Sequence, residues 1–147
     1  MIEEQKNKLV EMTKGLIGKP YKYGADPTEA PDCFDCSSFT QYVFKQIGID
    51  LPRSAILQAA DQKGKEIIPE PGFSNLEIGD LLFIRSDRGF YYDELFQDRK
   101  IMIGHAMIYL DDDKVIHSRK NKNGVVIEGL NELIKEPNYT IILVKRF

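Results

Sequence analysis

The sequence predicts an α+β fold in which helices come first and an antiparallel sheet follows. In the first half of the chain, apolar residues recur at the three- and four-residue spacing of helices, most clearly at residues 39–47. In the second half, short runs rich in β-branched and aromatic residues alternate with turn signals, beginning with the run at residues 80–85. Helices and strands segregated in this way are typical of α+β proteins with antiparallel sheets.

Three helices are predicted before the sheet. The first covers about residues 3–16 and stops at Gly-Lys-Pro. The second begins near Cys36 and ends before Gly48, at a position that favours a residue tolerant of positive φ. The third runs from about residue 54 to residue 62, with Ser54 as its cap. The predicted strands cover residues 80–85, 103–110, 114–118, 124–127 and 139–147.

Length and composition indicate one globular domain over residues 1–147. The chain is 42% hydrophobic and 29% charged, which is ordinary for a folded protein. Its net charge of −3 arises from mixed signs, so we expect no nucleic-acid partner. No apolar run reaches membrane-spanning length and no signal peptide is evident, so we expect no membrane partner. The chain as given is expected to be cytoplasmic, or exported if a signal was removed.

Cys36 is the first residue that points to chemistry. A loop rich in Gly, Pro and Asp at residues 24–32 precedes it, and the helical pattern follows it. The free N–H groups and positive dipole of a helix start favour a thiolate, so this position predicts a lowered pKa for the Cys36 thiol. Such a cysteine suits nucleophilic catalysis. The alternative is a small buried hydrophobic residue beside Phe39.

The only two histidines, His105 and His117, fall on neighbouring predicted strands. A three-residue loop between these strands would pair Met107 with His117 and place both imidazoles on one face of the sheet. A two-residue loop would pair Ile108 with His117 and separate them. If the histidines share a face and Cys36 lies over it, His105 can take the thiol proton while His117 holds its imidazole.

Six short motifs follow one another along the chain. They are Pro-Tyr-Lys-Tyr-Gly-Ala at residues 20–25, Phe-Asp-Cys-Ser-Ser at 34–38, Leu-Pro-Arg at 51–53 with Gln58, Leu-Glu-Ile-Gly-Asp-Leu-Leu-Phe at 76–83, Gly-His-Ala-Met-Ile-Tyr-Leu at 104–110 and Val-Ile-His-Ser at 115–118. In this order they resemble the motifs of the NlpC-type (NlpC/p-sixty) cell-wall cysteine peptidases, a papain-like family. Tyr23, Ala25 and Ser38 depart from the family's Trp, Gly and Gly, which alters the pocket floor more than the chemistry.

The resemblance implies a papain-like fold in which N-terminal helices carry Cys36 and pack on a C-terminal antiparallel sheet that carries both histidines. It implies hydrolysis of an amide bond in bacterial cell-wall peptides, of the γ-D-glutamyl–diaminopimelate type, through a thioester on Cys36. The implied triad is Cys36, His105 and His117. No cofactor or metal is implied.

The resemblance also implies the residues that bind the substrate. Asp35 and Ser37 would line the subsite that receives the free amine or neighbouring backbone of a cell-wall peptide. Tyr21 would stand beside the nucleophile. The backbone N–H of Cys36 would form part of the oxyanion hole, which agrees with a place at a helix start. Asp35 is also suited to act as the helix cap.

Two alternative functions follow from the same residues, and a separate expectation concerns a long loop. The Cys-x-x-Cys pair Cys33 and Cys36 is compatible with a redox role, or with a zinc site completed by the histidines. The same thiol apparatus would serve an acyltransferase or amidase acting on another acyl substrate. Residues 86–100 are long for a connection between core strands, and they predict either a rim that narrows the cleft or a short surface helix at residues 91–96.

Overall fold

The computed structural model describes residues 1–85, 90–91 and 93–147. Within these residues the α-helices are α1 (Glu3–Lys14), α2 (Cys36–Gln46), α3 (Ala55–Ala60) and α4 (Leu130–Leu133). The strands are β1 (Lys65–Ile67), β2 (Leu81–Arg85), β3 (Phe90–Tyr91), β4 (Met102–Ile103), β5 (His105–Asp111), β6 (Lys114–Arg119), β7 (Gly124–Gly129) and β8 (Thr140–Arg146). Short 3₁₀ helices cover Pro27–Glu29, Pro71–Phe73, Asp93–Phe96 and Lys120–Lys122.

Six of the strands form one antiparallel sheet in the order β1-β8-β2-β5-β6-β7. The strands β3 and β4 form a separate two-stranded ladder. Because α1, α2 and α3 come before this sheet in the chain and pack against it, the α+β prediction is confirmed. Among the described residues, no helix combines the length and apolarity needed to cross a bilayer.

The core lies on both faces of the sheet. On one face α1 and α2 pack their apolar side chains, including Leu9, Phe39 and Phe44, against alternate residues of the central strands such as Ala106 and Ile108. The opposite face carries the intervening residues and is covered by α4. Its buried members include Leu82, Met107, Val115, Leu130 and Leu133. This alternation fixes which strand residues can meet the N-terminus of α2.

The boundaries differ from prediction where elements are short. Gly104 separates β4 from β5, so the predicted strand at residues 103–110 is two strands. The three-residue β1 and the single-turn α4 were not predicted, because neither is long enough to show a periodicity. The predicted rim falls partly outside the described residues, at residues 86–89 and 92. Its described remainder includes a 3₁₀ helix with Phe96 buried in the core.

Candidate active site

The first turn of α2 is held by a reciprocal cap. Asp35 is the N-cap residue, and its Oδ1 accepts a hydrogen bond from the Ser38 N–H at 2.9 Å. In return, the Asp35 N–H donates to Ser38 Oγ at 3.0 Å. Cys36 is therefore the first residue of the helix, as the sequence predicts. Its N–H has no acceptor within the helix and is free to face a ligand.

Arg53 ties the flanking residues of the cysteine together. Its Nη2 donates to Asp35 Oδ2 at 2.6 Å and to the Ala25 carbonyl at 2.8 Å, while its Nη1 donates to Ser37 Oγ at 2.8 Å. Asp35 and Ser37 are both largely buried beside the nucleophile. Two of the three predicted substrate-binding residues, Asp35 and Ser37, are thus held in place beside the cysteine by one guanidinium. The structure also adds an arginine to which the sequence analysis assigned no role, although the Leu-Pro-Arg motif marked it.

A buried glutamine supports the same turn from beneath. Gln58, fully buried, donates from Nε2 to the carbonyls of Ser37 at 2.9 Å and Pro52 at 2.8 Å. Its Oε1 accepts from Thr40 Oγ1 at 2.7 Å. Both polar atoms of the Gln58 side chain are therefore satisfied by three hydrogen bonds, which hold α3 against the start of α2.

The hairpin between β5 and β6 decides where the histidines lie. Its turn has two residues at its tip, Asp112 and Asp113, with φ of 47° and 61°. A bulge between Tyr109 and Asp111 then shifts the register, so that Ile108 pairs with Ile116. His117 consequently falls opposite Met107, which is the pairing expected for a three-residue loop. Each of the two loop predictions was therefore correct in part.

The two imidazoles are in direct contact. Nε2 of His105 lies 2.7 Å from Nδ1 of His117, and Nε2 of His117 lies 2.9 Å from Glu128 Oε2. His117 is fully buried. Arg119 reaches Glu128 with Nη1 at 2.9 and 3.0 Å, and its guanidinium stacks over the Tyr139 ring at 4.7 Å. The sequence did not predict a role for three of these residues, Glu128, Arg119 and Tyr139.

Cys36 and His105 line the same cleft, whose volume is about 550 Å³. Its other lining residues include Tyr21, Asp35, Ser37, Arg53, Lys120, Asn138 and Tyr139. The Ala106 N–H is directed at the Cys36 sulfur. Because α2 packs on the face that carries Ala106, the cysteine lies at the end of the sheet where β5 begins, not over the histidine face. All six predicted site residues are close to this cleft or, for His117, directly behind it.

Burial decides the charge states of Cys36 and His105. It raises the pKa of the Cys36 thiol to about 11, with help from the Asp35 carboxylate, and the N–H groups of Ala106 and Ser37 only partly oppose this. The prediction of a lowered cysteine pKa from the helix start was therefore wrong. Burial also lowers the pKa of His105 well below its ordinary value, with the neighbouring His117 adding to the effect. In the free protein the pair is a thiol beside a neutral imidazole.

Tyr21 keeps its proton in the same cleft. Burial raises the pKa of its phenol to about 12, and the nearby Cys36 and Asp35 add to this shift. At neutral pH the Tyr21 hydroxyl is accordingly a hydrogen-bond donor beside the nucleophile.

The geometry supports a redox or zinc role for these residues less well than a nucleophilic role for Cys36. Cys33 and Cys36 are both free cysteines. Both ring nitrogens of His117 already have partners, His105 and Glu128, which leaves neither for a metal. Among the described residues, no group of three or more His, Cys, Asp or Glu side chains is arranged to hold a metal ion.

A cysteine at a helix start, in one cleft with a histidine from an antiparallel sheet, defines the papain-like class of cysteine hydrolases. A family model described as the NlpC/P60 family matches residues 18–144. The chain therefore belongs to the NlpC/P60 family, which confirms the family resemblance and the papain-like fold. Curated relatives that match include proteins named as endopeptidases, a hydrolase and dipeptidyl-peptidases.

Two curated relatives come from Bacillus subtilis. The chain is 34% identical over 120 residues to gamma-DL-glutamyl hydrolase, across 81% of this chain and 24% of that protein. It is 32% identical over 128 residues to gamma-D-glutamyl-L-lysine dipeptidyl-peptidase, across 87% of this chain and 37% of that protein. The chain thus spans well under half the length of the curated relatives it matches. A solved NlpC/P60 family protein from Bacillus cereus has a TM-score of 0.73 and 26% identity over 96% of this chain and 39% of that chain.

Proposed function

We propose that this chain is a cysteine peptidase that hydrolyses a γ-D-glutamyl amide bond in bacterial cell-wall peptides. Cys36 is the nucleophile, His105 the general base and acid, and His117 the residue that orients His105. The observation that carries this proposal is the geometry of the cleft. Cys36 and His105 line it together, and the 2.7 Å contact between the imidazoles leaves Nδ1 as the one ring nitrogen of His105 available to the thiol.

The reaction proceeds in two halves. The Cys36 sulfur attacks the carbonyl carbon of the γ-glutamyl amide while the thiol proton passes to His105 Nδ1. The tetrahedral intermediate then breaks its C–N bond, and the leaving amine takes the proton from His105. Water attacks the resulting thioester while His105 again accepts a proton. The C–S bond then breaks, the proton passes from His105 to the Cys36 sulfur, and the γ-carboxylic acid is released and ionises in solvent. The unpaired Cys36 N–H and the Tyr21 hydroxyl are the donors placed to stabilise the oxyanion.

The bond type is supported by the relatives and by the chemistry of the cleft. The two Bacillus subtilis relatives carry γ-glutamyl activities in their names. The cleft wall carries charged and polar side chains, among them Asp35, Ser37, Arg53, Lys120 and Asn138. Such a wall suits a charged peptide with free amine and carboxylate groups.

The test is incubation with the tripeptide L-Ala-γ-D-Glu-diaminopimelate and with its L-lysine counterpart, followed by mass spectrometry. Hydrolysis yields L-Ala-D-Glu and the free diamino acid, whereas an acyltransferase would yield an adduct with an added amine. We expect Cys36→Ala to lower turnover by at least about 10⁴-fold with the fold intact, His105→Ala to cost nearly as much, and His117→Ala less. Turnover that survives in Cys36→Ala, or equal tolerance of both histidine changes, would contradict the assigned roles.

A further inference from the structure

The hydrogen-bonded line that begins at His105 does not end at His117. It continues from β6 into β7, where Glu128 contacts the far nitrogen of His117 at 2.9 Å. Arg119 closes the line by binding both oxygens of Glu128, at 2.9 and 3.0 Å. A line of this kind has a direction, because each ring nitrogen of a neutral histidine either donates or accepts.

The carboxylate of Glu128 determines which nitrogens along this line carry a hydrogen. The hydrogen bond from His117 lowers the pKa of Glu128, and the Arg119 guanidinium adds to this, so Glu128 is ionised and only accepts. The nitrogen that faces it, Nε2 of His117, must therefore carry the hydrogen. Burial lowers the pKa of His117, which keeps this imidazole neutral at neutral pH. Its other nitrogen, Nδ1, is then a bare acceptor.

The tautomer of His105 follows in the same way. Nδ1 of His117 accepts, so Nε2 of His105, 2.7 Å away, must donate. A neutral His105 that carries its hydrogen on Nε2 has a free lone pair on Nδ1. That lone pair is what a base for the Cys36 thiol requires.

We propose that Glu128 is a positioning residue that fixes both histidines in the Nε2–H tautomer, so that Nδ1 of His105 stays free to take the proton of Cys36. This inference rests on the proposed function for its effect on turnover, but the tautomers themselves do not depend on it. During attack the S–H bond breaks, the S–C bond forms and the proton arrives at His105 Nδ1. The His105 Nε2–H and His117 Nε2–H hydrogens stay where they are, so Glu128 receives no proton.

Glu128→Gln tests this directly and has a matched control. A carboxylate can only accept from His117, whereas the amide of the variant no longer forces this, because Arg119 Nη1 is within 3.0 Å of both positions and can be bound by the amide oxygen at the Oε1 position. With the NH₂ facing His117, Nε2 of His117 accepts, both imidazoles change to the Nδ1–H tautomer, and His105 no longer offers a lone pair to the thiol. Glu136→Gln is the control, because Glu136 also binds Arg119, at 2.6 Å, without touching either histidine.

We expect Glu128→Gln to lower kcat/KM by about 10²–10⁴-fold, the scale on which a wrong tautomer acts. Glu136→Gln should stay within about threefold of the wild type. Nitrogen-15 chemical shifts of the imidazoles provide the second readout: the Nε2–H form for both rings in the wild type, and the Nδ1–H form in folded Glu128→Gln. Thermal unfolding of each variant identifies a loss of fold.

The outcomes separate the two proposals. A wild-type spectrum with either ring in the Nδ1–H form overturns the role of Glu128 without any variant, as does a folded Glu128→Gln with wild-type tautomers and turnover. If the spectra are as expected but no γ-glutamyl peptide is cleaved, the tautomer assignment stands and the proposed function fails.

Discussion

Replacing Arg53 with methionine should destabilise the protein and make the thiol of Cys36 harder to ionise. Methionine replaces the apolar stem of the side chain and removes its charge and its donors. The guanidinium makes three hydrogen bonds of 2.6–2.8 Å, to Asp35, Ser37 and the Ala25 carbonyl. It is also one of the groups that lower the pKa of Cys36. One substitution therefore has a structural effect and an electrostatic effect that can be measured separately.

The expected loss of stability follows from these contacts. A hydrogen bond to a charged group contributes about 1.5–3 kcal/mol when it is well buried. The Asp35 side chain is 11% exposed but the Arg53 side chain is 32% exposed, so solvent screening reduces these values. Asp35 would retain the N–H groups of Ser38 and Gly24, which limits the cost of its unpaired charge. The free energy of unfolding should fall by about 2–4 kcal/mol.

Urea unfolding followed by circular dichroism measures this loss, and Arg99→Met provides the control. Arg99 also grips a carboxylate with two nitrogens, Glu66 at 2.9 and 3.1 Å, but its side chain is 52% exposed. A surface pair of this kind contributes at most about 1 kcal/mol. The pH dependence of iodoacetamide modification of Cys36 should move to higher pH in Arg53→Met and stay unchanged in Arg99→Met. Equal losses of stability in the two variants would refute the assignment of Arg53 as the tie between these segments.

Two further predictions concern the same end of α2. Burial raises the pKa of Cys36 to about 11, so its thiolate fraction should keep growing at pH values at which an ordinary thiol is already ionised. The rate of iodoacetamide modification, located at Cys36 by mass spectrometry, should therefore still increase above about pH 9. A rate that levels off below about pH 8.5 would mean that the helix dipole overcomes burial. Gln58→Leu should lower the free energy of unfolding by about 2 kcal/mol, because the Pro52 carbonyl loses its buried partner, while the Thr40 hydroxyl and the Ser37 carbonyl keep each other. Urea unfolding measures this loss, and a Gln58→Leu variant as stable as the wild type would contradict the prediction.

Much of the candidate site was predictable because its determinants are local. The breaker-rich loop, the cap at Asp35 and the helical period after it place Cys36 at a helix start without any knowledge of the rest of the fold. The order of the motifs identifies the family, and the spacing of the strands places both histidines in one antiparallel sheet. These features depend on residues within a few positions of one another or on their order along the chain.

The partners of these residues were not predictable in the same way. Arg53 reaches Asp35 across 18 positions, and Glu128 reaches His117 from a strand whose predicted end fell one residue before it. Nothing in the local pattern of either residue distinguishes a buried ion pair from a solvated charge. The contact exists only once the strands are in register.

The sequence by itself determined the class of fold, the helix start that carries Cys36 and the two strands that carry His105 and His117. Tertiary structure decided whether those parts work together. The bulge after Tyr109 restores the register that brings the imidazoles to 2.7 Å, and a period-two pattern alone allows either face. Packing also reversed the expected pKa shift of Cys36, because burial and the adjacent Asp35 carboxylate outweigh the N–H groups of Ala106 and Ser37 and the charge of Arg53.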